Sequence, residues 1–224
     1  MRLHVQGAAE AAEGPVLVLV RHASVADTML ASVLLSEGFG LRYVLKRELL
    51  WDLCLDVVGN RLPNHFVRRD PGDGAERDAV RRLSGGLAVD EGVLLYPEGT
   101  RYSEPKRERA VARLADGASA ALAARAALFR NVLPPRTGGF LALLDGAPDT
   151  DVVVCAHHGL EGAARMSDLL GGALLGRQVH VRFQRFPSGT IPQTAEARVE
   201  WLYDRWAEVD RFVTESMSSE RGSA

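Results

Sequence analysis

The sequence has little cysteine and no long apolar run. Only 2 of its 224 residues are cysteines, which excludes a disulfide framework, and the apolar neighbours of Cys54 and Cys155 predict small buried side chains in a reducing compartment. No window approaches the roughly 18 continuous apolar residues that a membrane-spanning helix needs. Residues 1–13 lack the basic and then apolar pattern of a signal peptide. We therefore expect a cytoplasmic protein that does not cross a membrane.

An excess of charge of one sign is also missing. The 27 basic and 29 acidic residues give a net charge of −2, so nothing points to nucleic acid as a partner. Hydrophobic residues make up 46% of the chain and charged residues 25%, as in ordinary soluble globular proteins. A chain of this length is expected to form one domain. We place that domain at residues 1–215 and predict a disordered tail at 216–224.

What the sequence does contain is an alternation of predicted strands and helices. The continuous run "VLVLV" at 16–20 predicts a strand that is buried on both faces. Further strands are expected at 41–45, 66–67, 93–96, 151–156 and 179–183, and helices at 24–36, 48–58, 75–84, most of 104–130 and 195–213. The stretch "LPPRTGGF" is typical of a turn. This order predicts an α/β domain with a mixed central sheet covered by helices.

A histidine lies just beyond the first predicted strand, in the stretch "VRHASVAD". Ser24 and Asp27 there form Ser-x-x-Asp at the start of a predicted helix, which is close to a capping box, so Asp27 fits a purely structural role. Arg21 and His22, together with His158 in "VVVCAHHG", instead fit the outline of a histidine phosphatase or mutase. In such enzymes an arginine binds phosphate and a histidine is the nucleophile, but an acid usually stands where this chain has Ser24.

The third interpretation of this stretch is acyl transfer to a hydroxyl group. That reaction needs a base near neutral pH, for which imidazole is well suited, and His22 would be that base. Asp27 would hold the ring in the correct tautomer and stabilise the imidazolium that forms. His22 follows a strand and Asp27 lies in the first turn of a helix, so the connecting turn can bring the two side chains together.

Four blocks of sequence decide among these interpretations. They are "RHASVAD"; "YVLKRELLWD" with "HFVRRD"; "YPEGTRYSEPKRERA"; and "VLPPRTGGFLALL". Together they resemble the glycerol-3-phosphate and lysophosphatidic acid acyltransferase superfamily, and above all its lysophosphatidic, lysophosphoinositide and lysocardiolipin acyltransferase branch. The resemblance runs from about residue 3 to about residue 213. The phosphatase interpretation explains none of the last three blocks.

The resemblance implies which residues bind the acceptor. It implies that cations beyond strand ends hold an acceptor phosphate, and that the "PEGTR" turn forms the acceptor site. The implied substrate-binding residues are Lys46, Arg69, Glu98, Gly99, Thr100 and Arg101. Glu98 is expected to hydrogen-bond substrate or to position nearby basic groups. Arg136 in "PPRTGGF" is interpreted as a structural residue of its turn and is left out of the site.

The resemblance also implies the reaction. A fatty acyl group would pass from a thioester of coenzyme A or acyl carrier protein to a lysophospholipid, with 1-acyl-sn-glycerol-3-phosphate as the favoured acceptor. No cofactor is needed, and the histidines show no metal-ligand spacing. Peripheral contact with the inner face of the membrane is expected, through Trp51, Leu55 and Val58 or the run "LLGGALLG". A non-catalytic lipid-binding relative is a further alternative.

The chain departs from the family pattern at three points. Arg21 stands where the family usually has asparagine before the histidine, and it is expected either to add phosphate affinity or to lower the pKa of the histidine. The family's fourth block appears only as "VVVCAHHG". The N-terminal membrane segment that most members carry is not found in this sequence.

Overall fold

The computed structural model describes residues 1–35, 39–46, 65–67, 74–117, 119–163 and 166–222. The strands of this part of the chain are β1 (Arg2–Gln6), β2 (Val16–Val20), β3 (Gly40–Lys46), β4 (His65–Val67), β5 (Glu91–Leu95), β6 (Asp151–His158) and β7 (Gln178–Phe186). The helices are α1 (Ala8–Ala11), α2 (Ala26–Leu35), α3 (Gly74–Ser84), α4 (Glu104–Ala115), α5 (Ala120–Ala127), α6 (Thr137–Gly146), α7 (Met166–Leu170) and α8 (Ala195–Gly222). None of these described helices is both long enough and apolar enough to span a bilayer.

The described strands form one seven-stranded sheet in the order β1-β7-β6-β2-β5-β3-β4. β6 and β7 pair antiparallel, and the other neighbouring strands pair parallel. The carboxyl ends of β2, β3, β4, β5 and β6 therefore lie along one edge of the sheet, where α/β folds bind their ligands. The predicted mixed sheet is confirmed.

The central strand β2 is buried along its whole length. Leu17 and Leu19 belong to a core that includes Trp206 of α8. The three valines of β2 belong to a second core that includes Leu35 of α2. Successive side chains of a strand point to opposite faces. Both faces of the sheet are covered by helices, which explains why an unbroken apolar run marks this strand.

The sequence pattern missed four elements: β1, α6 and the short helices α1 and α7, which have four and five residues. β1 has exposed side chains at four of its five residues, in the pattern eeeie, so it shows no apolar signal and is held by backbone pairing with β7 at the sheet margin. Helix α6 begins inside "LPPRTGGF", which was expected to be a turn. Burial of Phe140, Leu143 and Leu144 outweighs the low helix propensity of the two glycines in its first turn.

The expected disordered tail is wrong for residues 216–222, because α8 continues to Gly222. Ser216 is buried in this segment, and the Glu220 carboxylate lies 3.4 Å from Nε2 of His158. The last turns of the helix therefore pack against the sheet. The predicted helix at 48–58 lies outside the described residues.

Candidate active site

The candidate site lies at the edge formed by the carboxyl ends of β2, β5 and β6. His22 follows β2, the segment Pro97–Arg101 follows β5, and His158–Glu161 closes β6 and begins the next loop. β2 pairs parallel with both β5 and β6, so these three segments converge at one edge. The sheet thus brings together residues that are far apart in the chain, such as His22 and Glu98, which are 76 positions apart.

His22 and Asp27 form a hydrogen-bonded dyad. Nδ1 of His22 lies 2.9 Å from Oδ1 of Asp27. The Asp27 side chain is fully buried, and the His22 side chain is 15% exposed. With the Nδ1 proton donated to Asp27, the lone pair of Nε2 is the one left to accept a proton. This geometry suits a general base that is held in one tautomer.

The turn before α2 places Asp27. The amides of Ala23 and Ser24 each donate to Oδ2 of Asp27 over 2.6 Å, and the amide of Asp27 donates to Oγ of Ser24 over 3.2 Å. Asp27 therefore both caps the turn and contacts the ring, because one carboxylate oxygen accepts the turn amides while the other lies against the imidazole, and its catalytic role stays a prediction. Burial opposes ionisation of Asp27, but the hydrogen bond from His22 and the nearby His157 outweigh burial, so the pKa of Asp27 lies below its usual value.

Tyr96, just beyond β5, covers the dyad. Its ring centroid lies 4.5 Å from that of His22, with the planes tilted by 36°, and its hydroxyl donates to the backbone oxygen of Asp27 over 3.3 Å. Burial raises the pKa of Tyr96 well above its usual value, and the negative charge of Asp27 adds to this effect. Tyr96 thus remains a neutral donor that packs against the imidazole.

Glu98 is a buried connector between two loops. It is 2% exposed. Its Oε1 accepts the backbone N–H of His22 over 2.9 Å, and its Oε2 accepts the backbone N–H of Leu133 over 2.8 Å. Burial raises the pKa of Glu98 to about 8, although these two hydrogen bonds oppose the shift. Glu98 thus holds the backbone of the dyad histidine, and its expected contact with substrate stays a prediction.

The rest of the "PEGTR" turn lies beside the dyad. Gly99 has a φ of 66°, a left-handed conformation that favours glycine. The amide of Tyr102, directly after the turn, donates to the backbone oxygen of His22 over 2.8 Å. Lys106 braces the turn, because its Nζ lies 2.9 Å from the backbone oxygen of Arg101 and 3.3 Å from Oγ1 of Thr100. The backbone of Thr100 and Arg101 is therefore held close to the histidine, and their binding of substrate stays a prediction.

The two remaining predicted cations are Lys46 and Arg69. Lys46 is the last residue of β3, which runs parallel to β5, so its backbone reaches the same edge as His22. Arg69 lies outside the described residues. The roles of Lys46 and Arg69 in substrate binding both stay predictions.

Arg21 does not take the position that a phosphatase requires. It is 2% exposed, and its guanidinium donates to the backbone oxygens of His157 and Asn131 and to Oε1 of Glu161 over 2.6–3.0 Å. His158 binds the same Glu161 oxygen at 3.3 Å. The arginine is thus a buried brace between β2 and the loop after β6. Its expected contribution to phosphate affinity finds no support in this arrangement.

His157 is a residue of the site that the sequence analysis missed. It is fully buried, its Nε2 lies 2.8 Å from the backbone oxygen of Arg21, and the same nitrogen lies 3.6 Å from Oδ2 of Asp27. Burial lowers the pKa of His157, so the neutral ring donates this N–H toward the dyad strand. The double histidine at the end of a buried strand was the available signal. It was noted for His158 only.

Comparison with known proteins shows the family to which the chain belongs. A family described as Acyltransferase matches residues 2–157, a span that includes the dyad, the "PEGTR" turn and His157. The chain belongs to this acyltransferase family.

The chain is also similar to two individual acyltransferases. Lysocardiolipin acyltransferase 1 from Danio rerio is 31% identical over 128 residues, which cover 53% of this chain and 30% of that protein. The chain therefore spans less than a third of that relative's length. The crystal structure of PlsC, the 1-acyl-sn-glycerophosphate (LPA) acyltransferase from Thermotoga maritima, matches with a TM-score of 0.53 at 16% identity, over 92% of this chain and 71% of that chain. This match shows the shared fold.

Proposed function

We propose that the protein transfers a fatty acyl group from a thioester to the free hydroxyl of a lysophospholipid, with 1-acyl-sn-glycerol-3-phosphate as the acceptor. Nε2 of His22 takes the proton of the acceptor hydroxyl, and the oxygen attacks the thioester carbonyl. The carbon–sulfur bond then breaks, and the departing sulfur takes the proton from the imidazolium. Coenzyme A or acyl carrier protein is the carrier. The reaction needs no cofactor, and no acyl-enzyme forms.

One observation carries this proposal: the 2.9 Å contact between Nδ1 of His22 and Asp27 in a buried turn. A base with a fixed tautomer and a buried anionic partner is what proton removal from a hydroxyl requires. The family membership supports acyl transfer as the reaction. The two relatives, a lysocardiolipin acyltransferase and an LPA acyltransferase, support a lysophospholipid acceptor.

His22→Ala should lower the rate of thiol release from oleoyl-coenzyme A with lysophosphatidic acid by about 10²- to 10⁴-fold. Asp27→Asn keeps a side chain of the same shape but removes the anion, so kcat should fall more than the acceptor KM rises. Thiol detection on purified protein measures both, and an unchanged far-UV circular dichroism spectrum controls for folding.

The alternatives give different results in the same assay. Near-normal turnover by His22→Ala would contradict the proposed mechanism. Binding of lipid by the wild-type protein without thiol release would indicate a non-catalytic relative. Labelling of His22 by a phosphate monoester would indicate the phosphatase, even though Arg21 is held by other partners.

We also propose a cytoplasmic location with reversible contact to the inner face of the membrane, because both substrates are lipids or carry acyl chains. Leu170 and Leu175, which are 83% and 81% exposed, lie in the connection from β6 to β7. This connection starts at the same sheet edge as His22. Its residue Ala163 accepts the backbone N–H of Val25 over 3.0 Å, so the exposed leucines follow a loop that contacts the dyad turn. The other candidate face, Trp51–Val58, lies outside the described residues.

Flotation with liposomes tests this contact. The double variant Leu170→Ser/Leu175→Ser should float less than the wild type, because apolar side chains supply part of the affinity for a bilayer surface. Leu128→Ser is the matched control, since Leu128 is 75% exposed in another part of the fold. Binding that survives a carbonate wash, or equal loss in the control, would contradict the proposed surface.

A further inference from the structure

We propose that Arg136 is a specificity-determining residue that binds the phosphate of the acceptor. This inference rests on the proposed function and deepens it, because it assigns a cation that the sequence analysis interpreted as part of a turn.

The loop that carries Arg136 is fastened to the "PEGTR" turn on both sides. The backbone N–H of Arg136 donates to the oxygen of Pro97 over 2.8 Å. The backbone N–H of Leu133 donates to Oε2 of Glu98 over 2.8 Å, and the other oxygen of Glu98 holds the backbone N–H of His22. One buried carboxylate thus links residue 22 to the 133–136 loop, so the position of Arg136 is fixed relative to the dyad.

The side chain of Arg136 lies directly over Gly99. A Cβ atom built on Gly99 would be 3.0 Å from Nε and 3.1 Å from Cδ and Cζ of Arg136. Real Cβ atoms rarely make such close contacts, so the guanidinium occupies the space that the missing side chain leaves. Two features therefore favour glycine at position 99: its φ of 66° and the close approach of the Arg136 side chain.

The charge of Arg136 is accessible and is not neutralised within the described part of the chain. The residue is exposed, and its guanidinium makes no hydrogen bond or ion pair with any described residue. Several other arginines are paired, for example Arg21 with Glu161, Arg42 with Glu91, and Arg107 with Glu104. An unpaired guanidinium that is held against the predicted acceptor turn is suited to an incoming anion.

A phosphate monoester fits this arrangement. It carries a charge of about −1.5 to −2 near neutral pH and offers three acceptor oxygens, so a single cation does not satisfy it. Nζ of Lys106 is already directed to Thr100 and to the backbone of Arg101. Arg136 adds a planar fork that can hold two phosphate oxygens at once. We therefore assign to it the phosphate of the glycerol acceptor.

The first test compares two acceptors in the wild-type, Arg136→Ala, Arg136→Lys and Arg82→Ala proteins. Arg82 is an exposed arginine in the last turn of α3 and serves as the charge-matched control. Arg136→Ala should raise the KM for 1-acyl-sn-glycerol-3-phosphate by about tenfold to hundredfold, and Arg136→Lys should raise it less. The KM for a monoacylglycerol, which lacks the phosphate, should not change. Equal losses for both acceptors would overturn the inference.

The second test distinguishes the acceptor phosphate from the phosphates of the donor. The KM values for oleoyl-coenzyme A and for oleoyl-pantetheine, which lacks the nucleotide phosphates, should be the same in Arg136→Ala as in the wild type. A selective loss for the coenzyme A thioester would place Arg136 at the donor and would overturn the inference.

The third test needs no turnover, so it separates this inference from the proposed function. Calorimetric titration with sn-glycerol 3-phosphate should show binding to the wild type and to Arg82→Ala, and binding weakened by about tenfold or more in Arg136→Ala. That result would support the inference even if no acyl transfer were detected. Equal affinity in the wild type and Arg136→Ala, or no binding to the wild type, would overturn it.

Discussion

The two sides of the candidate site are built in different ways. Around His22 and Asp27, buried side chains and backbone amides hold one another over 2.6–2.9 Å. On the other side, Arg136 is exposed, and its guanidinium packs against the backbone of Gly99. The reacting groups are thus arranged by the fold before substrate arrives, whereas the charges for recognition are placed where a ligand can reach them. Changes on the first side should reduce stability and kcat, and changes on the second side should alter KM.

Glu98→Ala is the change with the largest expected effect, because Glu98 links the His22 side of the site to the loop that carries Arg136. It removes both acceptors of the buried amides of His22 and Leu133. Leaving a buried donor unsatisfied costs about 1–3 kcal/mol, so the free energy of unfolding should fall by about 2–6 kcal/mol. Domains of this size have about 5–15 kcal/mol in total. Urea unfolding followed by circular dichroism measures the loss.

Glu98→Gln is the control for this prediction, and it also tests whether Glu98 is protonated in the folded protein. It retains one oxygen acceptor, so it should destabilise less than Glu98→Ala. Because burial raises the pKa of Glu98 from 4.5 to about 8, the folded protein keeps a proton that the unfolded chain releases. The stabilisation from that proton is present below pH 4.5 and is lost as the pH rises to 8. The wild type should therefore lose stability relative to Glu98→Gln between pH 5 and 8, and a constant difference would contradict a buried acidic form.

His157→Leu should have a smaller effect, mainly on kcat. The change removes the N–H that contacts the backbone oxygen of Arg21 and lies 3.6 Å from Asp27, but it leaves the bond between His22 and Asp27 in place. We expect kcat to fall by about tenfold, with the acceptor KM nearly unchanged, as for the loss of one hydrogen bond that holds the dyad strand.

His157→Gln distinguishes positioning from simple packing. Its side-chain amide can place an N–H near the position of Nε2, so it should restore much of the lost kcat. Leucine is closer in polarity to the buried surroundings of His157. A variant series in which leucine is tolerated and glutamine is not would contradict the positioning role.

The contrast between the two sides also explains what the sequence could predict. His22 and Asp27 are close along the chain and follow an apolar strand, so local pattern was sufficient to pair them. Glu98 and His157 act on that pair from other strands, at 76 and 136 residues from the atoms that they bond. Contacts of that separation depend on strand order, which a single sequence does not reveal. Arg136 was assigned to a turn because the glycines after it hid the start of α6.

Arg101→Ala, on the exposed side, should have the smallest effect. Arg101 is half-buried within the "PEGTR" turn, and Lys106 holds its backbone oxygen, so the loop keeps its shape when the side chain is shortened. If Arg101 shares the acceptor phosphate with Arg136, its loss should raise the acceptor KM by about three- to tenfold, since a partly solvated charge contact contributes about 1 kcal/mol. The KM for the acyl thioester should change much less. Steady-state kinetics with each substrate varied in turn measures both values, and equal increases for donor and acceptor would show that the turn does not form the acceptor site.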